Sequence, residues 1–166
     1  VYYGEARGKT TAALGLGIRA AGIGKQVIMV QFLKCKHSDT LDFLKKLEPE
    51  LQIFRFAKAA CSYADMNEEE RQEQLSNIRM ALGYTRKVLD TGQCDLLILD
   101  EIFGLIDYGI ITMDDLKELL AVRDESTDLI LTGRNLPEEI RDIADCIYYI
   151  HTEKEQAGEI LHSGQE

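Results

Sequence analysis

The stretch Val1-Tyr2-Tyr3-Gly4-Glu5-Ala6-Arg7-Gly8-Lys9-Thr10-Thr11 decides the fold. Val1–Tyr3 reads as the end of a strand, a glycine-bounded turn follows, and a helix runs from about Lys9 to Ala21. A turn of this kind between strand and helix aims backbone N–H groups at one point, and the helix dipole adds positive potential there, so phosphate is the ligand it suits. Lys9 adds a positive charge and Thr10 a hydroxyl for Mg²⁺. Three residues separate Gly4 from Gly8, where the common form of the loop has four. A glycine turn that merely starts a helix is the plainer alternative, and Gly-Lys-Thr at a strand-to-helix junction favours phosphate over it.

Working outward, Gly22-Ile23-Gly24 ends the first helix. Apolar runs then recur at Val27–Leu33, Leu51–Phe56, Asp95–Leu99, Thr127–Leu131 and Cys146–Ile150, with helical stretches between them. The longest of these lies between Asn67 and Asp90, with Asn67 and Glu70 at capping-box spacing. Pro137 marks a further helix start. The alternation predicts a three-layer α/β fold with a mostly parallel central sheet flanked by helices. A chain of 166 residues that is 45% hydrophobic can bury such a sheet, and one domain spanning 1–166 is expected.

The net charge of −10, from 19 basic and 29 acidic residues, argues against a nucleic-acid or anionic-membrane partner and favours a small molecule. Cys35, Cys61, Cys94 and Cys146 form no CxxC pair, which suggests reduced thiols and a cytoplasmic protein. No apolar run reaches the roughly 20 residues that span a bilayer, and no signal segment is recognisable.

A second chemical signal is Leu96-Leu97-Ile98-Leu99-Asp100-Glu101, an apolar strand that delivers two carboxylates to its C-terminal end, the edge where open α/β sheets bind ligands. Carboxylates there hold Mg²⁺ directly or through water. Glu101 could equally orient a water for ATP hydrolysis, so the residues alone leave the reaction open.

The order of further segments resembles the P-loop type of ATP:corrinoid adenosyltransferase. The likeness begins with the short Gly-xxx-Gly-Lys-Thr loop, continues through Ala12-Ala13-Leu14-Gly15, Arg19-Ala20-Ala21-Gly22 and Val30-Gln31-Phe32-Leu33-Lys34, and includes Leu99-Asp100-Glu101 and Asp107-Tyr108-Gly109. It closes with Thr132-Gly133-Arg134-Asn135-Leu136-Pro137-Glu138-Glu139 and Ala144-Asp145. The resemblance implies a P-loop NTPase-like, RecA-like fold, a homodimer, and transfer of the 5′-deoxyadenosyl group of ATP to a Co(I) corrinoid with release of triphosphate. It implies a reductase protein as a partner. Gly4, Glu5, Ala6, Arg7, Gly8, Lys9, Thr10 and Thr11 would cradle the triphosphate, with Lys9 and Glu101 in catalytic roles. Thr10 and Glu101 would hold Mg²⁺ or Mn²⁺, and Arg19 and Arg134 would contact the nucleotide.

The chain also departs from that pattern. Glu5-Ala6-Arg7 stands where the family typically has Asn-Gly-Lys, which puts an acid beside phosphate unless Glu5 turns outward. Lys34-Cys35 replaces Lys-Gly, and Lys58-Ala59-Ala60-Cys61-Ser62-Tyr63 aligns with the corrinoid-facing Gly-x-Gly-Phe-Thr-Trp, so Cys61 and Tyr63 take the places of its aromatics. Near the end, Gly158 and Gly164 keep the family's glycine spacing. These departures favour an alternative, a divergent paralogue that binds or hydrolyses ATP in a regulatory or assembly role. A nucleoside kinase is weaker, since no acceptor-base or lid motif is recognisable.

His37, His151 and His162 stand alone and are read as ordinary histidines, and Tyr2, Tyr3, Tyr148 and Tyr149 as strand residues. Asn67-Glu68-Glu69-Glu70 is read as the acid-rich first turn of a helix.

Overall fold

The computed structural model describes residues 1–33, 44–56 and 63–154. Thirteen elements are present there. In order they are β1 (Tyr2–Tyr3), α1 (Lys9–Ala21), β2 (Val27–Gln31), a 3₁₀ turn (Lys45–Leu47), β3 (Leu51–Arg55), a second 3₁₀ turn (Tyr63–Asp65) and α2 (Glu68–Thr91). There follow β4 (Leu96–Asp100), α3 (Ile102–Asp107), α4 (Met113–Ala121), β5 (Asp128–Gly133), α5 (Glu138–Ile143) and β6 (Tyr148–Tyr149).

The strands form one six-stranded sheet in the order β3-β2-β4-β5-β1-β6, and every pairing is parallel. All five residues of β2 and of β4 are buried, the unbroken apolar reading expected of strands covered on both faces. On one face α1 lies over Val27, Met29, Leu51, Leu96, Ile98 and Ile130. On the other, α2, α3, α4 and α5 cover Ile28, Val30, Phe32, Leu97, Leu99 and Leu131. This is the expected three-layer α/β architecture of a P-loop NTPase-like fold, with the sheet wholly rather than mostly parallel.

Local signals explain the helix ends. Glu70 N–H donates to Asn67 Oδ1 at 3.0 Å and Asn67 N–H donates to Glu70 Oε2 at 2.9 Å, a complete capping box for α2. Thr112 and Asp115 repeat it for α4. Gly133 ends β5 where α3 crosses closely, and a Cβ there would meet the Phe103 side chain at 2.4 Å.

Several strand limits differ from the sequence reading. β2 stops at Gln31 rather than Leu33, because Leu33 turns into the left-handed region at φ 55°. β5 runs to Gly133 rather than Leu131 because Thr132 and Gly133 pair with Tyr2 and Tyr3. β6 is only Tyr148–Tyr149, since only those two residues pair with β1. The four tyrosines are strand residues as expected, with Tyr2 stacked on Tyr148 at 4.9 Å and Tyr3 against Tyr149 at 5.1 Å.

Candidate functional site

The C-terminal ends of β1, β4 and β5 and the start of α1 meet at one edge of the sheet, and the Gly4–Thr11 loop lies there. Gly4 has φ +132°, and a Cβ on it would sit 2.1 Å from the Ile150 carbonyl oxygen, so only glycine fits. Its N–H donates to the Arg134 carbonyl at 3.0 Å, which ties the loop to the chain leaving β5. Gly8, at φ +115°, turns the chain into α1.

Lys9 is buried despite its charge. Its ammonium curls back over the loop and donates to the Gly4 carbonyl at 2.6 Å and the Ala6 carbonyl at 2.8 Å. Those bonds compensate much of the cost of removing an ammonium from water. Glu5 and Arg7 are exposed, as is Thr11, whereas Ala6 is half-buried. Exposure leaves the Glu5 side chain in contact with solvent.

Asp100 is the hub of the site. It is fully buried at the end of β4, and three side chains donate to its carboxylate. Thr10 Oγ1 reaches Oδ1 at 3.0 Å and Oδ2 at 3.1 Å, Thr132 Oγ1 donates to Oδ1 at 2.8 Å, and Gln31 Nε2 donates to Oδ2 at 3.0 Å. Thr132 also accepts from the Glu101 N–H at 2.8 Å, which helps to hold Glu101 at its left-handed φ of 61°. Glu101, half-buried, is the residue immediately before α3.

The structure therefore brings together Gly4–Thr11, Asp100, Glu101 and the backbone of Arg134, whose side chain is exposed. It does not bring Arg19 there. Arg19 is exposed in the last turn of α1, and ten residues of helix put it about 15 Å along the axis from Lys9. Tyr63 packs against Tyr108 with ring centroids 5.0 Å apart, and Arg71 Cζ lies 5.9 Å from its ring. Asn135 Nδ2 donates to Asp107 Oδ1 at 3.1 Å, so two of the motif segments meet. Cys61, like Lys34-Cys35, Lys58 to Ser62, His37, His162, Gly158 and Gly164, lies outside the described residues.

Sequence reading missed Gln31, Arg55 and Thr132 as site residues, and it put Glu101 rather than Asp100 beside Thr10. A polar residue closing an apolar strand was the available signal for both Gln31 and Thr132.

The donor set suits Mg²⁺ or Mn²⁺. A threonine hydroxyl and adjacent carboxylates are hard oxygen donors, and Thr10 already touches Asp100. Among the described residues no group of three or more His, Cys, Asp or Glu side chains is gathered. No helix of the described residues is long and apolar enough to cross a membrane.

Comparison with known proteins agrees with this geometry. A family model described as ATP:corrinoid adenosyltransferase BtuR/CobO/CobP matches residues 1–163. The chain is 29% identical over 147 residues to the corrinoid adenosyltransferase of Escherichia coli, covering 89% of this chain and 72% of that protein. Identity and coverage are the same for corrinoid adenosyltransferase CobA of Salmonella typhimurium, at 29%, 89% and 72%. The corrinoid adenosyltransferase of Pseudomonas aeruginosa is 26% identical over 153 residues, with 89% and 71% covered.

Proposed function

Because this chain belongs to the ATP:corrinoid adenosyltransferases, a family of enzymes, we propose that it moves the 5′-deoxyadenosyl group of ATP onto the Co(I) centre of a corrinoid and releases triphosphate. The observation that carries the reading is the contact between Thr10 and Asp100, which joins a phosphate-type loop to an acid at the sheet edge. The cobalt electron pair forms the bond to C5′ while the C5′–O bond breaks, its electrons leaving on triphosphate. Cobalt is the nucleophile, so the protein needs no water-activating base. Its work is to hold C5′ in line and to neutralise the leaving group.

In this reading the loop N–H groups from Gly4 to Thr11 bind phosphate oxygens. The Lys9 ammonium exchanges the Gly4 and Ala6 carbonyls for them, so its bonds within the loop keep it in place until nucleotide arrives. Thr10, Asp100 and Glu101 would hold Mg²⁺, which when bound would supply charge neutralisation on the triphosphate. Arg134, beside the loop through its carbonyl, contacts the nucleotide, and Arg19 is left out because of its distance along α1. Tyr63 and Cys61 belong to the segment that would face the corrinoid. A second copy of the chain and a protein reductant complete the proposed system, in the cytoplasm.

Anaerobic incubation with Mg-ATP and chemically reduced Co(I) cobalamin or cobinamide tests the proposal. Adenosylcorrinoid and triphosphate in equal amounts are expected. ADP and inorganic phosphate with no cobalt–carbon product would overturn it in favour of an ATP-hydrolysing paralogue, a reading that the position of Glu101 beside Asp100 also accommodates.

A further inference from the structure

Arg55, Gln31 and Asp100 lie on one line across three strands. Gln31 is the register partner of both Arg55 on β3 and Asp100 on β4. The period-two pleat places all three with Met29, Ile53 and Ile98 on the face covered by α1, where Thr10 also lies. Arg55 donates to Gln31 Oε1 twice, from Nε at 3.2 Å and from Nη2 at 2.7 Å. Gln31 Nε2 in turn donates to Asp100 Oδ2 at 3.0 Å.

We propose that Arg55, acting through Gln31, is a positioning residue that keeps the Asp100 carboxylate turned toward Thr10. The inference rests on reading Thr10 and Asp100 as the metal-nucleotide site. A primary amide is nearly symmetric in shape, so packing does not choose between its two orientations. Partner chemistry does. A guanidinium carries only donors and therefore admits only Oε1 on its side, which leaves the NH₂ group facing a carboxylate that carries only acceptors. Without Arg55 nothing anchors Oε1, and the Gln31 side chain is free to swing its NH₂ group away from Asp100 Oδ2. Asp100 would lose a donor and gain freedom to rotate. A cation that demands near-ideal octahedral geometry is sensitive to such rotation, whereas the loop N–H groups that meet phosphate are not.

The test compares affinities for Mn-ATP and for ATP with EDTA, measured by calorimetry on the full chain. In Arg55→Met the Mn-ATP affinity should fall about tenfold while metal-free ATP stays within about twofold. Arg55→Lys, which keeps a cationic donor, should recover part of the loss. Gln31→Met should show the same defect, and the double variant should be no worse than either single one, as expected of two members of one relay. Additive losses, an equal fall in metal-free ATP, or no change in Arg55→Met would each overturn the relay. If Arg55→Met does not fold, Arg55→Lys and Gln31→Met carry the same comparison. Wild-type protein that binds ATP no better with Mn²⁺ than without it would refute the reading of the site itself, and the relay with it.

Discussion

Thr132→Val is the most exacting change the structure offers, because it removes one oxygen atom and preserves shape. Thr132 is fully buried. Its hydroxyl donates to Asp100 Oδ1 at 2.8 Å and accepts from the Glu101 N–H at 2.8 Å. A hydrogen bond to a charged group contributes about 1.5–3 kcal/mol, and an orphaned N–H that is shielded from water costs about 1–3 kcal/mol. Glu101 N–H is only partly buried, so water relieves some of the second term, and the expected destabilisation is about 3 kcal/mol. For a chain of this length that lowers Tm by roughly 6–12 °C. Urea denaturation of wild type and variant, with the slope held common, measures it directly. A loss under about 1 kcal/mol would mean that Thr132 does not hold these two groups, and the account of the Asp100 hub would fail.

Lys9→Ala should weaken ATP binding about a hundredfold by calorimetry, and unchanged affinity would remove Lys9 from the site. Gln74 Oε1 and Asn77 Nδ2 are buried on α2 with no hydrogen-bond partner among the described residues, so Gln74→Met with Asn77→Leu should stabilise the fold by about 1–2 kcal/mol in urea. A clear loss of stability would mean that those amides are engaged. Burial pushes the Cys94 thiol from 9.0 up to about 11. The folded state thus holds this proton more tightly than the unfolded one, and the stability that follows is present below about pH 9 and declines as pH rises toward 11. Denaturant midpoints across that window should fall more steeply in wild type than in Cys94→Ala, where the half-buried Tyr2 and Tyr84 side chains leave a smaller decline.

The parts of the fold that were legible are those where local chemistry and tertiary structure agree. Asn67 with Glu70 announces α2, and the apolar runs at Val27–Leu33 and Asp95–Leu99 announce β2 and β4. Loop glycines at 4 and 8 announce the turn that both then make. What escaped depends on lateral register, which no single segment encodes. Gln31, Arg55 and Asp100 are far apart in sequence, and only the alignment of β3, β2 and β4 puts them side by side. Thr132 escaped because β5 was ended too early, at Leu131, so its hydroxyl was not placed at the sheet edge. Arg19 shows the converse. Arg19, expected to contact the nucleotide, lies in the last turn of α1, away from the Gly4–Thr11 loop, because a motif match carries no direction along a helix.

The position of β1 between β5 and β6 has a consequence for the order of events during synthesis. Tyr2 pairs with Thr132 on one side and Tyr148 on the other, so the strand that leads into the loop is made early and finds its neighbours late. Until residues 128–150 have emerged, Gly4 lacks the Arg134 carbonyl that holds its N–H and the Ile150 carbonyl that closes on it. On the proposed reading, nucleotide would therefore meet a finished sheet and not a nascent chain, and its binding would stabilise that sheet as a whole, the β6 edge included.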